Sequence, residues 1–246
     1  MSGFGQEIPT AWKIITFRAS TDELQTLNVR HLLLGLTCTW VVGIGRWWED
    51  PRAGLLQHLG VGSVAYVFVL ASFLWLILWP LNPPRLSYIN LLIFISLTSP
   101  PGILYALPVR HGLELDTAQT VRLAMLGVVA IWRVALLAFY LRRGTGLSES
   151  KTTLGTVFPL AVIVFTLTVL NLDKVVFNIM GAISPAERSV NDTAYGVMVL
   201  ITLLCFYAFL PLLVIYAGVG IQSTKERLHR TDPDSVQPQR RLAETP

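Results

Sequence analysis

Residues 123–141 read LAMLGVVAIWRVALLAFYL, with Arg133 as their one charge. As a helix this stretch is about 28 Å long, close to the hydrocarbon thickness of a bilayer. Comparable apolar segments lie at about 31–47, 61–80, 88–108, 121–141, 154–172 and 194–221. A segment in lipid must satisfy its own backbone groups, so runs of this length fold as helices. Composition agrees: 14% of residues are charged and 53% hydrophobic, where soluble domains carry roughly 25% charged residues. The period-2 alternation of a membrane barrel is absent. The expected fold is all-α: a polytopic helical membrane protein of about six transmembrane helices, one of them broken at Pro100-Pro101.

This divides the chain into an interfacial, cytoplasmic segment (1–30), a transmembrane domain (31–221) and a cytoplasmic tail (222–246) expected to be disordered. Residues 8–19, IPTAWKIITFRA, suit the membrane surface. Ser20 and Glu23 form a capping-box pattern, so a helix begins there and runs on into the first span. The N-terminus lacks a basic stretch followed by a long apolar one, so no cleavable signal peptide is expected. No lipidation box is read in RRLAETP. Trp47-Trp48 marks an interface, and Asp50-Pro51 predicts a short helix over 51–59. VVFNIMGAI (175–183) is too short to cross and reads as interfacial, re-entrant or part of span five. Six spans place both termini on one side. That side carries twelve Lys and Arg and the other six, with Arg133 completing the nineteen. The bias predicts cytoplasmic termini.

Arg133 falls about 13 Å by helical rise from Arg142, too far for its side chain to reach water unaided. No Asp or Glu lies in an apolar interior to pair with it. Span three offers another partner. Pro100 and Pro101 lack amide hydrogens and leave the carbonyls of Ser96 and Leu97 without helical donors. Arg133 is therefore expected to donate to Ser96, Leu97 or the Ser99 hydroxyl. One reading is a clamp between two helices. The other is a site where Arg133 and the opened backbone bind an anionic group.

Gly35, Thr39 and Gly43 form a small-xxx-small stripe, read as helix packing within the chain or as a dimer contact. His58 and His111 lie near Glu49, Asp50, Glu114 and Asp116 without fixed spacing, and His31 reads as interfacial. No metal ligand set, catalytic residue or cofactor site is assigned: no HExxH, P-loop or Ser–His pair is present. Cys38 and Cys205 read as small buried hydrophobes. Asn171, Asp173, Lys174, Asp192 and Tyr195 are expected to form an outer polar cluster. Asn191-Asp192-Thr193 is a formal glycosylation acceptor. Nothing resembles a nucleic-acid module.

The succession SLTSPPGILYALP, a short polar loop, then IWRVALLAFYLRRGTGLS resembles the bacterial branch of the Yip1 family over residues 88–172. Arg133 stands where that family has a small or apolar residue, and six spans are read where it has about five. The resemblance implies a helical membrane protein that recruits or organises other proteins without catalysis. It supplies no site residues. The expected address is a bacterial inner membrane. The expected role is a non-enzymatic scaffold or adaptor touching the bilayer, other membrane proteins or anionic lipid. The alternative is a small transporter or channel component with a midplane site at Arg133 and the broken span. An intramembrane enzyme ranks third. Oligomeric state is not read.

Overall fold

The computed structural model describes residues 5, 7–47, 54–107, 115–170, 172 and 192–231, with only the backbone described for some helix-end positions. These residues are helical, with no strand among them. The helices are α1 Glu7–Ile15, α2 Thr21–Gln25, α3 Val29–Trp47, α4 Leu55–His58, α5 Val61–Leu78, α6 Tyr88–Leu97, α7 Ile103–Ala106, α8 Leu115–Phe139, α9 Glu149–Val169 and α10 Asp192–Thr231. Among the described residues four segments are long and apolar enough to cross a membrane: Val61–Leu81, Thr120–Gly144, Glu149–Val169 and Val199–Arg227. The chain thus has the build of a membrane protein. α3 and the α6–α7 unit run among these four. α3 packs on α5 and α6, and α9 on α10.

Contacts between helix ends fix the directions. At one end Gly43 meets Ser63, Gly45 meets Ala106, and Arg122 Nη2 donates to the Arg46 carbonyl at 3.1 Å. At the other, Lys151 Nζ donates to Ser223 Oγ at 2.8 Å and Arg227 Nε to Asn82 Oδ1 at 3.1 Å. The Arg85 amide donates to the Thr145 carbonyl at 3.3 Å. Arg143 Nη1 donates to the Ala19 carbonyl at 3.3 Å. The N-terminal segment, the 79–87 and 140–148 connections and the end of α10 therefore share one end of the bundle.

The capping box at Ser20 and Glu23 is present, but α2 stops at Gln25 instead of entering α3. Asn28 explains the break. Its Oδ1 accepts from the Arg30 amide at 3.0 Å and restarts the chain as α3, as an N-cap does. α4 covers Leu55–His58 behind an extended Gly54; Asp50 and Pro51 lie outside the described residues. α10 is helical to Thr231, so residues 222–231 of the expected tail belong to a helix. At 40 residues it is about 60 Å long, twice the hydrocarbon thickness. Residues 232–246 and 175–183 lie outside the described residues.

Within the segment 8–19, α1 packs one face on the bundle. α1 buries Ala11, Ile14 and Ile15 and exposes Ile8 and Trp12. The Ile15 carbonyl accepts from Trp132 Nε1 at 3.0 Å, next to Arg133 in sequence. The chain then reverses. The Arg18 amide donates to the Lys13 carbonyl and the Phe17 amide to that of Ile14, at 2.7 and 3.1 Å. This is a Schellman cap, whose C′ residue adopts left-handed backbone and is usually glycine. Here it is Phe17, at φ 60°. Its ring stacks on Trp132 at 6.5 Å and meets Phe139 edge-on at 5.7 Å. Those contacts offset a left-handed penalty of about 1–2 kcal/mol.

Candidate functional site

α6 ends at Leu97 because Pro100 and Pro101 cannot donate to the carbonyls four residues earlier. The chain tightens into a 3₁₀ turn over Pro100–Gly102. In an α-helix the Gly102 amide would serve Thr98. It instead donates to the Ser99 carbonyl at 2.8 Å. The break therefore also frees Thr98.

A neighbouring helix answers one of these openings. Arg133 Nε donates to the Thr98 carbonyl at 3.3 Å. The acceptor thus differs from those expected, the Ser96 and Leu97 carbonyls and the Ser99 hydroxyl, because the 3₁₀ turn displaces the opening by one residue. The Ser96 carbonyl accepts from the Ser99 amide at 3.3 Å and lies 3.5 Å from Thr39 Oγ1. The Thr39 hydroxyl donates to the Gly35 carbonyl at 2.8 Å. It has one hydrogen, so Ser99 Oγ, 2.5 Å away, is the donor to Thr39. Ser96, Ser99 and Thr39 are buried, as is Pro101; Pro100 and Arg133 are half-buried.

The stripe on α3 makes this approach possible. A Cβ on Gly35 would lie 2.7 Å from Ser96 Cβ and 2.8 Å from the Ser96 backbone carbon. On Gly43 it would lie 2.8 Å from Ser63 Cβ. Gly35 and Thr39 thus face α6, while Gly43 faces the start of α5. Among the described residues no carboxylate pairs with Arg133. Its Nη1 and Nη2 groups meet no acceptor among them either.

Sequence reading missed three contributors. Arg122 ties α8 to the end of α3, and Trp132 ties α8 to α1. Glu7 is buried at the start of α1, with Oε1 3.8 Å from Arg30 Nη1 and Oε2 without a partner among the described residues. An acid in the amphipathic segment 7–15 was the available signal for Glu7. His31, expected at an interface, is buried beside it; its Nδ1 donates to Asn28 Oδ1 at 2.9 Å, and Nε2 has no partner among the described residues.

Most of the other candidates lie outside the described residues. His58 is half-buried on α4; His111, Glu49, Asp50 and Glu114 lie outside the described residues, as do Asn171, Asp173, Lys174 and Asn191. For Asp116, Asp192 and Tyr195 only the backbone is described. No group of three metal-ligating side chains occurs among the described residues. Cys38 and Cys205 are free thiols.

At the terminal end Lys13 pairs with Glu23 at 2.5 Å and Arg142 with Glu149 at 2.6 Å. The hydrogen bond from Lys13, followed by that from the Ser20 backbone, holds the Glu23 carboxyl below its ordinary pKa. No protein-family model, curated protein or solved structure matches the chain.

Proposed function

We propose that this chain is a six-pass protein of a bacterial inner membrane, both termini cytoplasmic, that acts as a non-enzymatic scaffold or adaptor for other membrane proteins. The observation that carries the reading is the use made of the broken helix. Of the carbonyls it frees, that of Thr98 accepts from Arg133 on α8 and that of Ser96 from the Ser99 amide, so Arg133 and the Pro-Pro turn work as a clamp within the bundle. What remains to act is surface. α10 leaves Tyr207 and Val214 about three-quarters exposed, in a span with little but α9 and the 79–81 turn against it. The orientation rests on the charge bias. The Yip1-like pattern over residues 88–172 belongs to the same proposal.

The transporter reading is favoured by one observation: the terminal nitrogens of Arg133 have no protein acceptor among the described residues, and the side chain is only half-buried. Reconstitution separates the two. A scaffold with a structural clamp gives no Arg133-dependent solute flux in proteoliposomes, and Arg133→Gln lowers its unfolding midpoint. Flux in the parent protein, lost in an Arg133→Gln variant of unchanged stability, overturns the scaffold reading.

A further inference from the structure

A groove opens where α10 crosses the turn after α5. It is lined by Pro80 on the turn and by Tyr216, Ala217, Gly220, Ile221, Thr224 and Lys225 on α10. Its lining is mostly apolar. By helical rise it runs about 13 Å from Tyr216 to Lys225.

Three features fix its depth and chemistry. The first is aromatic. Trp75 stacks on Trp79 at 6.5 Å and meets Tyr88 edge-on at 6.2 Å. Trp79, half-exposed, precedes Pro80 in the groove wall. Such Trp and Tyr clusters settle at the level of lipid headgroups. The second is charge. Arg227 packs over the Trp79 ring at 5.9 Å and bonds Asn82. Lys225 is exposed, and its ammonium meets no acceptor among the described residues. Glu226, the neighbouring acid, does not line the groove. The third is direction. The groove descends from this cationic rim along Ile221 and Ala217 into the apolar part of the Val199–Arg227 span.

We infer that this groove binds one anionic phospholipid of the surrounding bilayer, its phosphate on Lys225 and one acyl chain along Ala217, Gly220 and Ile221 against Pro80. The inference rests on the membrane reading of the chain and not on the scaffold role. Gly220 lies close to Pro80, where a Cβ would make an ordinary contact at 3.5 Å with Pro80 Cβ and a larger side chain would fill the groove, whereas Gly218, two residues away, faces open space.

Native mass spectrometry of the detergent-purified full chain, titrated with phosphatidylglycerol or phosphatidylcholine of identical chains, tests it. The first phosphatidylglycerol should bind about fivefold more tightly than phosphatidylcholine, the gain expected from one interfacial cation. Lys225→Gln should erase that preference and Lys225→Arg should keep it. Gly220→Leu should weaken both lipids, and Gly218→Leu neither. Excess inorganic phosphate should not displace the lipid. Equal binding of the two lipids, equal loss in Gly218→Leu, or displacement by phosphate each overturns the site. Carbonate extraction of native membranes checks the premise separately: release of the chain defeats the membrane reading, whereas retention with equal lipid binding defeats only the groove.

Discussion

Gly35→Ala probes the close contact between α3 and α6. The added methyl would lie 2.7 Å from Ser96 Cβ and 2.8 Å from the Ser96 backbone carbon. Carbon atoms settle at about 3.5–4.0 Å, so the gap must widen by about 1 Å. A backbone carbon cannot turn aside as a side-chain tip does, so α3 and α6 must separate. Their separation also stretches the Ser99–Thr39 hydrogen bond. Overpacking of this kind costs about 1–3 kcal/mol. The control is Gly127→Ala, on the adjacent span, where a Cβ meets nothing within 4 Å. There, alanine's helix preference should stabilise by up to about 1 kcal/mol. Reversible unfolding in mixed micelles, titrated with denaturing detergent, reads both. Gly35→Ala should unfold first and Gly127→Ala last. If Gly35→Ala matches the parent in stability but loses a dimer on crosslinking, the stripe works between chains and the packing account is wrong.

Three further outcomes follow from the geometry. Ser99→Ala should destabilise by only about 0.5–1 kcal/mol in the same assay, because Thr39 keeps the Gly35 carbonyl as its acceptor; a loss above 3 kcal/mol would mean Ser99 holds more than Thr39. At Phe17 both substitutions forfeit the aromatic contacts, but glycine alone relieves the left-handed backbone. Phe17→Gly should therefore be more stable than Phe17→Ala by about 1 kcal/mol, the reverse of the order in a helix; the ordinary order would remove the strain argument. The Glu23 carboxyl is held below its unfolded pKa, so its contribution is full above the ordinary carboxylate range. It is lost as pH falls through the lowered folded value. Amide protection factors in α1–α2, with the intrinsic pH dependence of exchange divided out, should fall on acidification in the parent and change less with pH in Glu23→Gln.

Local chemistry was the legible part of this fold. Apolar run length announces the helices, Ser20 with Glu23 announces a cap, and Pro100-Pro101 announces a break. Each is contained within one continuous segment of the chain. The stripe Gly35-Thr39-Gly43 was legible as packing, but its partners Ser96, Ser99 and Ser63 were not, since nothing in one helix names the helix beside it. The Arg133 acceptor was missed by one residue because proline chemistry alone does not say that the chain tightens into a 3₁₀ turn and frees Thr98. Phe17 carries no signal at all: its left-handed backbone is held by Trp132 and Phe139, more than a hundred residues away.

The central claim is that Arg133 is a sealed clamp, and water accessibility beside it is the direct test. In a Cys38→Ser, Cys205→Ser background, single substitutions Ala130→Cys and Leu137→Cys flank Arg133 on its helical face. A membrane-impermeant thiol reagent is applied from each side in turn to protein whose circular dichroism matches the parent. Protection of both positions from both sides is the predicted result. Labelling of either from either side would mean that an aqueous path reaches Arg133, and the clamp would give way to a midplane site.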